Sequence, residues 1–104
     1  MATRFKGYTG RVLDVDLSSG TVGEYEISDQ DRERFLGGRF LSTAILFREL
    51  APGVDPLSPE NILVVMTSPL TGSGAPSSSR FDISAKSPGT GLIGHSNSGG
   101  NFGL

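Results

Sequence analysis

Ile62-Leu63-Val64-Val65-Met66, then Arg80-Phe81-Asp82-Ile83-Ser84-Ala85-Lys86, then Leu92-Ile93 are the runs whose reading decides the fold. The first is continuously apolar and of strand length, which predicts a strand buried on both faces. The second alternates, which predicts a strand with Phe81, Ile83 and Ala85 inward and Arg80, Asp82, Ser84 and Lys86 on the opposite face. Ser87-Pro88-Gly89-Thr90-Gly91 reads as a turn, so Leu92 and Ile93 open a last short strand.

Upstream of these runs the pattern changes to helix. Ser28 stands three residues before Asp31, an N-cap followed by an acid in the first turn, so a helix is predicted over about 29–36, stopping at Gly37-Gly38. A second helix begins near Arg39 and carries Leu41, Ala44, Ile45, Phe47 and Leu50 at helical spacing, until Ala51-Pro52-Gly53 ends it. Further upstream, residues 10–17 alternate, with Leu13, Val15 and Leu17 on one face and Asp14 and Asp16 on the other. Residues 21–27 alternate again, with Val22, Glu24 and Glu26 opposite Tyr25 and Ile27. The intervening Ser18-Ser19-Gly20 predicts a β-hairpin. The order ββααβββ indicates an α+β fold with a mixed or antiparallel sheet, rather than a doubly wound one.

The chain has 104 residues, so residues 1–104 form one domain or a piece of one. A net charge of -2 argues against nucleic acid, since Arg32, Arg34 and Arg39 are diluted by Asp29, Asp31 and Glu33. With no cysteine the chain ligates no iron–sulfur cluster and makes no disulfide. No apolar run is long enough to span a membrane and no signal-like stretch opens the chain, so a cytoplasmic location is expected. The chain stops directly after its richest Gly-Ser loop. That reads as a chain cut inside a larger domain, or as one half of a split protein.

The long loops between the later strands are rich in Gly, Ser, Thr and Pro and expose backbone N–H groups suited to a large anionic ligand. Arg80 follows Ser77-Ser78-Ser79 at a loop-to-strand junction, where a guanidinium can take a phosphate or carboxylate bidentately. An ordinary strand arginine paired with Asp82 is the competing reading. Ser96-Asn97-Ser98-Gly99-Gly100 reads either as an anion-binding nest or as a tight turn that needs glycine. Gly37-Gly38-Arg39 is either an anion contact at a helix start or a plain break between helices. His95, the only histidine, reads as a hydrogen-bonded structural residue. No P-loop, dinucleotide fingerprint, nucleophile–base pair or metal-ligand cluster is present in the sequence, which reads as a binding surface and not as a complete active site.

Taken in order, several blocks resemble the amino-terminal part of the aldehyde:ferredoxin oxidoreductases, tungsten or molybdenum bis-pterin enzymes. They are Leu36-Gly37-Gly38-Arg39, Val54-Asp55-Pro56-Leu57-Ser58-Pro59-Glu60-Asn61, Pro69-Leu70-Thr71-Gly72, Ala75-Pro76, Ser79-Arg80-Phe81, Lys86-Ser87-Pro88 and Asn97-Ser98-Gly99-Gly100. The resemblance implies a β-rich base on which a bis-molybdopterin cofactor sits, its metal held by dithiolene sulfurs. It implies that Arg80 contacts a pterin phosphate. It also implies that Asn97 offers its backbone carbonyl to a magnesium bridging the phosphates, with Ser98, Gly99 and Gly100 lining the same region. Phe40, Ser78 and Ser79 stand where the family usually has glycine and add bulk there.

The family reaction oxidises an aldehyde to a carboxylic acid and passes two electrons through a 4Fe-4S cluster to ferredoxin. Cluster cysteines and acid–base residues are expected in a remainder of the enzyme or in a partner subunit. The alternative is a non-catalytic scaffold or phosphate-ligand-binding protein of the same fold that self-associates. Either way, open strand edges and apolar surface predict an oligomer.

Overall fold

Ser28 closes the start of the first helix as its sequence predicts: its Oγ accepts the N–H of Asp31 at 3.1 Å, one of the four donors a helix start leaves unpaired. In the computed structural model, which describes residues 3–104, this helix is α1 (Asp29–Phe35), and α2 (Gly38–Glu49) follows almost at once. Arg48 near the end of α2 donates from both terminal nitrogens to the two carboxylate oxygens of Asp31, each at 3.0 Å. That fork holds the two helices together, and its hydrogen bonds keep the Asp31 carboxyl below the usual range.

Strands β1 (Leu13–Asp16) and β2 (Thr21–Glu24) form the expected antiparallel hairpin, with Leu13 opposite Glu24 and Asp16 opposite Thr21. Asp16 organises the turn by accepting the N–H groups of Ser18 at 2.9 Å and Ser19 at 3.2 Å. Nothing in the described residues covers the hairpin's apolar side, and Leu13, Val15 and Val22 are exposed.

Strands β3 (Val64–Met66), β4 (Phe81–Lys86) and β5 (Ile93–Ser98) form a second sheet in that order, antiparallel throughout. Helix α2 lies on it, and Leu41, Ile45 and Leu46 meet Val64, Met66 and Ile27 in the core. The Asp55–Asn61 segment is tied to the sheet by its own polar atoms. The Asn61 amide donates to the carbonyls of Pro56 at 2.9 Å and Lys86 at 3.1 Å, and Lys86 Nζ reaches the Val54 carbonyl at 2.5 Å.

Three expectations are corrected. The face of β4 is inverted: Asp82 and Ser84 are buried at 5% and 1% exposure, whereas Phe81, Ile83 and Ala85 are only half-buried. Residues directly opposite in an antiparallel pair share a face. Val64 lies opposite Ser84 and Met66 opposite Asp82, so α2 covers the polar side of β4 together with the apolar side of β3. Burial of those polar groups is tolerated because they bond to one another; among the described residues no buried side-chain nitrogen or oxygen lacks a partner. For the same reason β3 is not buried on both faces: Val65, on the open side, is 48% exposed. Finally, the last strand runs on through Ser98, so Ser96, Asn97 and Ser98 belong to a ladder and not to a nest.

Candidate functional site

Because Asp82 lies opposite Asn97, and Ser84 opposite His95, the helix-covered face of the sheet carries a row of polar side chains. Ser84 Oγ donates to Asp82 Oδ2 and lies 2.6 Å from His95 Nδ1, which is itself 3.4 Å from Asp82 Oδ2. On its other side His95 Nε2 is 3.4 Å from the Thr43 hydroxyl on α2. The lone histidine is thus bonded into the sheet–helix interface, as read from the sequence.

Arg80, immediately before β4, does not pair with Asp82. Its Nη1 donates to Asn97 Oδ1 at 2.6 Å, across the β4–β5 ladder. The backbone of Arg80 is also fixed: the Thr71 hydroxyl donates to its carbonyl at 3.0 Å and accepts the Ser68 N–H at 3.1 Å. Pro69-Leu70-Thr71-Gly72 is therefore a brace for the arginine. The same loop holds Ser77 at φ 57, a left-handed conformation that costs a serine about 1 kcal/mol. Ser77→Gly is expected to leave stability within about 0.5 kcal/mol, because the strain relieved is offset by the greater freedom glycine gives the unfolded chain, read as a nearly unchanged urea midpoint.

Arg80 and Asn97 open onto a cleft of ≈ 320 Å³ lined also by Gly38, Arg39, Ser68, Phe81 and Asp82. Two guanidinium groups line it, and among the described residues neither forms an ion pair with a carboxylate. An oxyanion placed there would meet forked donors and a preset backbone, which is the chemistry of phosphate recognition. Ser98, Gly99 and Gly100 continue the chain from Asn97 but lie outside this lining. The Ser98 hydroxyl turns to the Gly99 carbonyl at 3.4 Å. Gly100 has φ 86, a turn requirement, while a Cβ on Gly99 would meet only Ser79 Oγ at 3.6 Å, ordinary contact. Among the described residues nothing therefore demands glycine at position 99.

The convergence of Gly38 and Arg39 on the Arg80–Asn97 wall was not placed by sequence reasoning. Its signal was Gly37-Gly38-Arg39 at a helix start, which took on meaning only once α2 was laid across the sheet.

Fold and cleft together define an α+β platform with two arginines on the wall of one cleft. The chain belongs to the aldehyde ferredoxin oxidoreductase family: the family described as "Aldehyde ferredoxin oxidoreductase, N-terminal domain" matches residues 12–104. Tungsten-containing aldehyde ferredoxin oxidoreductase from Pyrococcus horikoshii is 44% identical over 97 residues, 93% of this chain and 16% of that protein. The WOR-like subunit of an aliphatic sulfonate oxidoreductase from Pyrococcus furiosus is 48% identical over 68 residues, 62% of this chain and 11% of that protein. Among solved structures, a chain of the active site complex BamBC of benzoyl coenzyme A reductase, in complex with 1,5 dienoyl-CoA, superposes with a TM-score of 0.87 at 35% identity. That match covers 94% of this chain and 15% of that one. The chain thus spans about one sixth of the length of the curated enzymes it matches.

Proposed function

We propose that this chain is the cofactor-holding N-terminal portion of a tungsten or molybdenum pterin oxidoreductase that oxidises aldehydes to carboxylic acids with ferredoxin as electron acceptor. The observation that carries the reading is the Arg80–Asn97 hydrogen bond at 2.6 Å on the wall of a cleft with no ion-paired arginine. Family membership supplies the class of ligand, and the donor set suits its phosphate end. Among the described residues no group of three or more His, Cys, Asp or Glu side chains is placed to hold a metal ion. This chain would therefore grip the organic part of the cofactor.

In this reading Arg80 presents its fork to a pterin phosphate, and Asn97 orients that fork through its side-chain oxygen. The Asn97 backbone carbonyl, on β5, would be the group offered to a magnesium ion, an oxygen ligand of the kind that cation takes. Ser98, Gly99 and Gly100 border the same ligand. When bound, the tungsten or molybdenum pterin supplies the two-electron chemistry; the residues of this chain bind and orient it.

The apolar side of the second sheet, with Val65, Phe81, Ile83 and Ala85, and the bare side of the hairpin are where the remainder of the enzyme or a partner subunit with the 4Fe-4S cluster would pack. A non-catalytic scaffold would use those same faces to self-associate. No described helix is long and apolar enough to cross a membrane.

In the complete polypeptide that carries this chain, Arg80→Ala removes a charge-assisted contact. It is expected to lower metal and pterin bound per polypeptide about tenfold under limiting cofactor. Elemental analysis and pterin fluorescence of the anaerobically purified protein read this directly. Full occupancy in the variant would remove the phosphate role from Arg80.

A further inference from the structure

Arg39, the second residue of α2, lines the same cleft as Arg80 but reaches it from the helix side. Among the described residues its guanidinium has no hydrogen-bond or ion-pair partner, although the start of the helix that carries it is firmly anchored. A hydrogen bond and a close backbone approach make that anchor. The Gly38 N–H donates to the Thr67 carbonyl at 3.0 Å, fixing the start of α2 to the end of β3. A Cβ on Gly37 would stand 2.8 Å from the same carbonyl and 3.0 Å from the Ser68 Cα, so only glycine allows this approach.

Leu36 has φ 62 and ψ -72, and the Gly37 N–H bonds back to the Phe35 carbonyl at 2.8 Å, a γ-turn of the rare and strained hand. The Tyr8 hydroxyl donates to the Leu36 carbonyl at 2.5 Å and holds that turn. A leucine held in strained backbone next to a bare, preset arginine is more than a break between helices requires.

Asp82 shares the cleft, but its charge is engaged elsewhere. Its Oδ2 takes the Ser84 hydroxyl and faces His95, and no ion pair joins it to either arginine. Two guanidinium groups against one carboxylate leave the cleft positive.

We propose that Arg39 is a second oxyanion-binding arm of this cleft, which closes on the phosphate oxygens from the helix side while Arg80 holds them from the sheet side. The Leu36–Gly37–Gly38 brace, with Tyr8 as its clamp, sets the position of that arm. The inference rests on the reading of the cleft as a phosphate site and adds a residue and a mechanical support to it.

The test titrates inorganic diphosphate into the cofactor-free complete polypeptide by calorimetry, at fixed ionic strength. Arg39→Ala and Arg80→Ala are each expected to weaken binding about tenfold or more. Arg39→Lys, which keeps the charge but loses the fork, should fall between Arg39→Ala and the parent. Arg34→Ala, on α1 and outside the cleft, should change nothing and controls for bulk charge. Tyr8→Phe should weaken binding severalfold at unchanged net charge if the brace positions the arm.

Loss in Arg80→Ala with full affinity in Arg39→Ala would overturn this inference and leave the phosphate site standing. Full affinity in both would overturn the two together. Equal losses in Arg39→Ala and Arg34→Ala would reduce Arg39 to background charge and likewise overturn it. Where the cofactor-free polypeptide does not fold, metal and pterin per polypeptide in the same variants give the same ranking or refute it.

Discussion

Leu46→Ala is expected to destabilise the protein by about 2–5 kcal/mol, the largest effect of any single core truncation here. Leu46 is fully buried in α2 and belongs to a small core that, among the described residues, comprises Ile27, Leu41, Ile45, Leu46, Val64 and Met66. Its loss leaves a cavity between the helix and β3, and a core this small has few neighbours able to relax into the space. The site lies on the same sheet face, so the variant should also lose ligand affinity as α2 loosens over Thr43 and His95. Urea denaturation of parent and variant checks the first effect. A cost below about 1 kcal/mol would show that α2 is not what holds the sheet.

Gly37→Ala is expected to cost about 1–3 kcal/mol, by overpacking where Leu46→Ala underpacks. The added methyl would meet the Thr67 carbonyl at 2.8 Å, and that neighbour is backbone, so no side chain can rotate out of the way. Relief requires the start of α2 to lift off the end of β3, which stretches the Gly38–Thr67 hydrogen bond and moves Arg39 from the cleft. Gly99→Ala is the matched contrast: its methyl finds only Ser79 Oγ at 3.6 Å, and stability should stay within about 0.5 kcal/mol. Comparable thermal midpoints for the two variants would contradict the close-approach argument.

Features set by neighbours in the chain were legible from the residues. The Ser28 cap, the hairpin turn after Asp16 and the places of Leu41 and Ile45 on α2 rest on contacts within a few residues, whereas Phe47 of the same expected stripe is exposed and Leu46, outside it, is buried. The face of β4 depended on a partner instead. Alternation tells which residues lie together, not which side a helix will cover, and α2 chose the side where Val64 and Met66 supply the apolar contact.

The extent of β5 was hidden for a different reason. Gly94, Ser96, Asn97 and Ser98 have little strand preference of their own, and pairing with β4 alone makes them a strand. Arg80 and Asn97 are seventeen residues apart and were read as one site only through family resemblance; the ladder then brought them within hydrogen-bond distance. Arg39 was visible as a motif without a partner. Only the crossing of α2 over the sheet brought it to the cleft of Arg80 and Asn97.

Native mass spectrometry with metal analysis, on the protein purified anaerobically from its own cells, tests the central claim most directly. The account predicts tungsten or molybdenum with two pterins, bound stoichiometrically to an assembly that contains this chain and an iron–sulfur cluster. A metal-free homo-oligomer, with neither pterin nor a cluster-bearing partner, would contradict it and leave the fold as a scaffold.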